Sequence, residues 1–372
     1  MPSSQTVVLS LTGAASHQIE RSPGHGRLSI GPVVAGAPRP DVVVAVDDVL
    51  DSSTFDAFAT PSGTPWPRGF RYRGNDTGFL RWSERRPIER FHWIPTAATA
   101  VDAGHARISD ISVTLGGQSW RMELPAEARS FTASGNVSTL RATLASGASV
   151  PMLFFYPATL PSRDSTPLVL PHLDALGGAE SVYVGAKPLR QPFDCASLLQ
   201  FPHVTDLRLF GQLANLRAIA DLPQLERIQL GDCPDLREFP PLTNWPRLTE
   251  FHASNIEQRA GTALRSQLKS QPLPKASVTR LRTADWFENE SGLPFGEWST
   301  ANGRRAVTAF RAAETNPDPE AGIRAFARVI NGLPGIETIE REDAGEAVAQ
   351  LAARAGIDEN VALSWLDDER EF

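Results

Sequence analysis

The chain has 372 residues, of which 41% are hydrophobic, and a formal net charge of −7. This length allows a large core shared among two or three units. No stretch approaches the roughly 20 consecutive apolar residues of a membrane span, which excludes a helical membrane protein. The charge is uneven, with 17 acidic and 8 basic residues over 286–372 and 26 and 28 over 1–285. The acidic end argues against nucleic-acid binding, because phosphate neutralisation needs clustered Lys and Arg.

Residues 1–100 predict an irregular, β-rich N-terminal cap domain. The apolar stretch over 6–11 is short for a secretory signal and predicts a first strand, and Val42–Val46 predicts a buried one. Residues 60–95 gather aromatic side chains around the basic run 81–86. We interpret this cluster as a small core with its edges covered by arginine stems. Binding of a peptide or a nucleotide base is the alternative.

One seven-residue motif recurs three times, over residues 201–207, 222–228 and 245–251. It consists of an apolar residue, a proline, a variable residue, an apolar residue, two polar residues and another apolar one. Each copy continues with a period-two alternation, which predicts a short strand buried on one side. The offsets of 21 and 23 residues are typical of stacked solenoids.

The middle copy shows the longest pattern. Apolar residues and a cysteine fall at its relative positions 1, 4, 6, 9 and 12, namely Leu225, Ile228, Leu230, Cys233 and Leu236. This spacing resembles the leucine-rich repeats of bacterial cytoplasmic proteins in their cysteine-containing form, although Gln212 and Ile256 occupy the ninth position of the neighbouring copies. The resemblance implies an α/β solenoid over residues 101–285, with a parallel sheet along its concave wall.

The same apolar alternation extends the series to eight expected strands. Their key apolar positions are 111, 131, 153, 182, 207, 228, 251 and 281. On each strand, the residues that flank the key position point away from the core. These residues predict a partner-binding face made of two columns: Phe154, Tyr183, Arg208, Gln229, His252 and Arg282, with Ser181, Asp206, Arg227, Glu250 and Arg280 beside them.

Aromatic residues and arginines are enriched at interface anchors, which favours partner binding by this face. The alternative is that the side chains only solvate the sheet and pair across strands, at about 0.2–1 kcal/mol per pair.

The repeat stops after Thr283, and residues 286–372 predict an acidic helical module. Amphipathic spacing predicts helices over 301–314, 319–331, 343–355 and 359–368. The run 336–347 and the ending 365–372 resemble a module of bacterial proteins from toxin–immunity and defence neighbourhoods.

Motifs for catalysis, metals and cofactors are missing from the sequence, which has no GxSxG, P-loop or HExxH pattern. Cys195 and Cys233 have no CxxC partner, so we expect no metal, no cofactor, no disulfide framework and a reducing cytoplasm. An enzyme with a site over residues 40–100, around His92, Asp47 and Arg85, remains an alternative.

These observations predict non-catalytic recognition of another protein, without nucleic acid or membrane. The expected role is that of an immunity or antitoxin-type binder that occludes a toxin, and acidic residues at the C-terminal end would steer a basic toxin towards it. A scaffold or sensor subunit of a signalling or defence complex is the alternative.

Overall fold

The computed structural model describes residues 5–21, 26–34, 37–60, 62–158, 166–186, 189 and 191–371. Two compact units make up the chain, Met1–Arg282 and Thr283–Phe372. The second begins close to the predicted start at residue 286. Phe372, the last residue of the predicted module, lies outside the described residues.

The first unit consists mainly of β-strands. Its strands are β1 (Gln5–Leu9), β2 (His17–Arg21), β3 (Arg27–Gly31), β4 (Val42–Val43), β5 (Gly69–Arg73), β6 (Ile88–Ile94), β7 (Thr99–Asp102), β8 (Ile108–Gly116), β9 (Trp120–Leu124), β10 (Ser130–Asn136), β11 (Leu140–Leu144), β12 (Met152–Pro157), β13 (Ser181–Ala186), β14 (Phe193–Asp194), β15 (Asp206–Gly211), β16 (Leu213–Ala214), β17 (Arg227–Cys233), β18 (Glu250–Glu257) and β19 (Lys275–Arg282). Its α-helices are α1 (Gly78–Ser83) and α2 (Gln258–Ser270).

Twelve of these strands form one large parallel sheet. Its order is β4-β3-β5-β6-β8-β10-β12-β13-β15-β17-β18-β19. β3 lies between β4 and β5, and from β5 to β19 each next strand of the sheet lies beside the one before it. The connections supply two smaller parallel sheets, β7-β9-β11 and β14-β16, while β1 and β2 form an antiparallel pair. The predicted α/β class with a parallel sheet is confirmed.

The large sheet continues across the predicted cap boundary at residue 100, because β6 pairs with β8. Phe70 and Phe91 are buried in register with Ile111, so residues 27–94 extend the same core. Prolines and uneven spacing hide this continuity in the sequence. The aromatic cluster of this segment is core, as predicted, whereas the strand expected over 42–46 is limited to Val42–Val43.

The three copies of the recurring motif have the same structure. Their first residues, Phe201, Leu222 and Trp245, are buried and follow short 3₁₀ segments. Their last residues, Leu207, Ile228 and Phe251, pair directly across β15, β17 and β18 and are also buried. The prolines are exposed. The motif therefore connects each 3₁₀ segment to the next strand.

Seven of the eight predicted key positions lie in one continuous register, from Ile111 to Phe251. The eighth was assigned wrongly, since Phe251 pairs with Ala276 and not with Leu281. Ala276 is small and exposed, so its apolar signal is weak. Leu281 pairs with Ile256 further along the strand.

The second unit is helical and contains α3 (Ala284–Asn289), α4 (Thr300–Glu314), α5 (Pro319–Asn331), α6 (Thr338–Ala355) and α7 (Glu359–Glu369). The four predicted helices are confirmed, and α6 begins earlier than expected because Glu337 and Glu340 form a capping box. Phe310, Phe326 and Val348 are buried in its core. Among the described helices, none combines the length and apolarity that crossing a membrane requires.

Truncation of a core residue of the recurring motif should destabilise the first unit strongly. Trp245 is fully buried and its Nε1 donates to the Ile219 carbonyl oxygen. We expect Trp245→Ala to lower the free energy of unfolding by about 3–5 kcal/mol in urea denaturation followed by circular dichroism. His203→Ala, at the exposed variable position of the first copy, should change it by less than about 0.5 kcal/mol. Equal effects would contradict the assigned burial.

Candidate functional site

The candidate site is the side of the large sheet that faces away from the core, named here the outward face. Buried residues such as Phe131 and Leu207 alternate along the strands with half-buried or exposed residues. The parallel register places one outward residue from each of eleven strands side by side. This central row is Ser29, Arg71, His92, Ser112, Thr132, Phe154, Tyr183, Arg208, Gln229, His252 and Ser277.

Most of the predicted partner-binding residues lie together on this face. Phe154, Tyr183, Arg208, Gln229 and His252 are consecutive members of the central row. The row two residues earlier on each strand contains Ser181, Asp206, Arg227 and Glu250.

The placement of Arg280 and Arg282 in these two rows was wrong. Lys275 and Ser277 occupy the corresponding positions, because β19 is shifted by the register described above. Arg280 has a left-handed backbone (φ 51°), and Arg282 pairs with Glu257 at the far end of β18.

Four side chains form an aromatic patch in the middle of the outward face: Phe154, Tyr156, Tyr183 and Phe210. The ring of Tyr183 lies 5.7 Å from Phe154, 5.3 Å from Tyr156 and 5.1 Å from Phe210, measured between centroids. Tyr156 is 41% exposed. Burial, followed by the neighbouring Tyr156, raises the pKa of Tyr183 to about 12, so its hydroxyl stays protonated at neutral pH.

Two glycines let these rings lie against the sheet. A Cβ atom on Gly231 would collide with the ring of Phe210, and one on Gly185 would lie 2.8 Å from Cδ1 of Tyr156. Because neither glycine projects a side chain, Phe210 and Tyr156 lean over the neighbouring strand. The patch is therefore a packed aromatic layer with one accessible surface.

Fixed charges border the aromatic patch on the neighbouring strands β15, β17 and β18. Asp206 is buried and accepts two hydrogen bonds from Arg208, at 3.1 Å from Nε and 2.9 Å from Nη2. Arg227 Nε lies 3.4 Å from the same carboxylate. Further along, His252 contacts Glu250 through Nε2 at 3.0 Å. A planar guanidinium held by a buried carboxylate is already oriented for a partner.

The part of the outward face formed by β3, β5 and β6, named here its N-terminal end, is polar and basic. His92 Nε2 lies 2.8 Å from Thr114 Oγ1. Burial, followed by the charges of Arg71, Arg27 and Arg73, lowers the pKa of His92 to about 4, so the imidazole is neutral at neutral pH.

The three residues of the alternative enzyme site have separate partners. Asp47 accepts a hydrogen bond from Asn75 at 2.6 Å, and Arg85 pairs with Asp56 at 3.1 Å. Arg85 lines a surface pocket on the side of α1, and His92 is not among the residues that line it.

Both cysteines are buried and unbonded to each other. Cys233 Sγ lies 3.1 Å from the Gly231 carbonyl oxygen, and burial raises the pKa of the Cys195 thiol. Within the part of the chain that the structure describes, no group of three His, Cys, Asp or Glu side chains is placed to hold a metal ion.

Sequence reasoning missed Tyr156 and Phe210, which lie one alternation beyond the predicted columns. Continuing the period-two pattern past Phe155 and Leu209 would have identified them. It also missed the arginines before residue 100, because that segment was interpreted as a separate cap.

Comparison with protein-family models, with curated proteins and with solved structures found no match to this chain.

Removing an arginine beside His92 should raise the pKa of this histidine. We expect Arg71→Gln to move it upward from about 4 towards the ordinary value near 6.5 in an NMR titration of the imidazole, because one repelling charge is lost. An unfolded histidine takes up protons near pH 6.5, so His92 makes the folded state less stable as the pH falls from about 6.5 towards 4. Arg71→Gln should weaken that fall.

Arg121→Gln provides the control, since this exposed arginine lies on β9 in another sheet. An unchanged pKa of His92 in Arg71→Gln would show that Arg71 does not act on it.

Proposed function

We propose that this protein recognises another protein through its outward face, without catalysing a reaction. The observation that carries the proposal is the aromatic patch, a layer of packed rings exposed in the middle of a sheet. Tyrosine and arginine are the residue types that contribute most binding energy at protein interfaces. Here Tyr183 lies beside Arg208 in the central row.

The patch is also held in place before any partner arrives. Phe210 stacks on Tyr183 with an angle of 18° between the rings, and Asp206 fixes Arg208 by two hydrogen bonds. Ordering a side chain at an interface costs about 0.5–1.5 kcal/mol, and this cost falls when neighbours already restrict the side chain. A preorganised surface of this kind favours specific binding over solvation alone.

We further propose that the parallel sheet belongs to a leucine-rich-repeat solenoid with its outward face on the concave side. The recurring motif and the sequential strand order support this proposal. Cys233, at the ninth position of its repeat, also supports it, because its Sγ contacts backbone carbonyl oxygens. The proposed location is the cytoplasm, in keeping with two buried cysteines that form no disulfide with each other.

An immunity-type binder that occludes a toxin is the finer form of this proposal. The charge of the outward face refines the expected partner. The central row and the rows two residues on either side contain seven basic and three acidic residues. The contact surface of the partner should therefore be apolar and acidic, even though the acidic second unit favours a basic toxin during approach.

A scaffold or sensor subunit is a second candidate, and the two-unit organisation favours it. The second unit has its own core around Phe310 and Phe326, separate from that of the first. A scaffold would bind a different protein through each unit.

Loss of the aromatic patch should abolish partner capture. With the full-length protein as bait in its native host, we expect the wild type to retain one stoichiometric partner. The double variant Tyr183→Ala/Phe210→Ala should bind that purified partner at least about 30-fold more weakly, because two central anchors are removed. Isothermal titration calorimetry measures the affinities.

Leu199→Ala is the matched control, since Leu199 is 39% exposed and lies in a 3₁₀ segment outside the outward face. Circular dichroism should show that all variants remain folded. Equal partner affinity for the wild type and the double variant would refute recognition through the patch, as would a wild-type bait that retains no partner.

A further inference from the structure

Four arginines lie close together at the N-terminal end of the outward face: Arg27 on β3, Arg71 and Arg73 on β5, and Arg90 on β6. They are named here the arginine cluster. Within the described residues, none of the four side chains forms an ion pair or a side-chain hydrogen bond. Each is exposed or half-buried. The cluster carries four positive charges in a chain of net charge −7, and Asp110 on β8 is the carboxylate aligned with Arg90. A local concentration of positive charge attracts an anionic partner.

The register of the three strands places Gly69 between two members of the cluster. Arg27 pairs with Gly69, and Gly69 pairs with Arg90. A Cβ atom on Gly69 would lie 3.9 Å from Cβ of Arg27 and 3.6 Å from Cβ of Arg90. A side chain at this position would therefore stand between the two arginine stems. Gly69 itself is buried between them, and Arg71 and Arg73 follow it along β5.

Three members of the arginine cluster also act on the neighbouring His92. Arg71, Arg27 and Arg73 all contribute to lowering the pKa of His92 to about 4, after burial. His92 therefore adds no positive charge at neutral pH, and its ring is held by Thr114. The cluster presents guanidinium groups, which bind carboxylate and phosphate oxygens in pairs of parallel hydrogen bonds.

We propose that the arginine cluster binds an oxyanion-bearing segment of the partner protein. The oxyanions are the carboxylates of an Asp- or Glu-rich segment or the phosphate of a phosphorylated residue, which share the same chemistry towards arginine. This inference rests on the proposed function, since it assigns the N-terminal end of the outward face to the partner that covers the aromatic patch.

A protein segment fits this face better than a nucleic acid does. Towards β19 the outward face also contains the carboxylates Asp110, Asp206 and Glu250. An extended polyanion would meet these groups along the sheet, and it needs a continuous basic surface. A peptide segment places its negative charges locally and can follow them with apolar residues that reach Phe154 and Tyr156.

The test measures binding of labelled peptides to the full-length protein by fluorescence anisotropy. The probes are a twelve-residue peptide with glutamate at alternate positions, the same peptide with glutamine instead, and one with two phosphoserines. We expect the glutamate and phosphoserine peptides to bind at least about tenfold more tightly than the glutamine peptide, and more weakly as salt rises. The tighter of these two shows which oxyanion source the site prefers.

Two sets of variants locate the binding. Arg71→Gln/Arg73→Gln should weaken binding of the glutamate peptide about tenfold, whereas Arg121→Gln on β9 should not change it. Gly69→Asp and Gly69→Asn have the same shape, but only the first places a carboxylate between Arg27 and Arg90. Gly69→Asp should therefore lose much more affinity than Gly69→Asn.

Three results would overturn the inference. They are equal binding of the glutamate and glutamine peptides, unchanged binding in Arg71→Gln/Arg73→Gln, and arginine-dependent binding of a 20-nucleotide single strand more tightly than either anionic peptide. If one of them occurs while Tyr183→Ala/Phe210→Ala still loses the partner, recognition by the aromatic patch stands and only the arginine site is refuted.

Discussion

The burial of one side of each strand in a parallel register is the constraint on which the rest of the first unit depends. Ile111, Phe131, Leu153, Val182, Leu207, Ile228 and Phe251 lie side by side and are all buried. A single strand cannot remove its apolar side from water alone, so each strand stabilises its neighbours in the sheet. Because the side-chain period of a strand is two, this core also determines which residues face outward.

The same constraint creates the proposed binding surface. A parallel register aligns equivalent outward residues at spacings of about 5 Å, so similar residue types on adjacent strands become patches. Phe154 and Tyr183 meet in this way. Phe210 is offset from Tyr183 by two residues, and Gly231 allows its ring to lie against the sheet beside Tyr183. At the other end, Gly69 separates Arg27 from Arg90. Aromatic and basic regions are thus distributed along one face, as a partner with an apolar part and an anionic part would require.

The register of seven strands and five consecutive members of the central row were predictable, because large apolar residues recur there every 20 to 29 residues. It failed at β19, where small, exposed Ala276 occupies the core position at the sheet edge. It also failed before residue 100, where Phe70 and Phe91 belong to the common core but are separated by irregular, proline-containing connections. The arginine cluster was not predictable without that register, since its four members come from three strands that are distant in the chain.

Site-specific photo-crosslinking in the native host shows which surface of the protein its partner touches. A benzophenone amino acid replaces Phe154 in the central row or Arg121 on β9, and adducts are identified by mass spectrometry. If the partner covers the outward face, position 154 gives one dominant protein adduct and position 121 gives none. An adduct from position 121 without one from position 154 would show that the protein binds its partner elsewhere and would contradict recognition by the outward face.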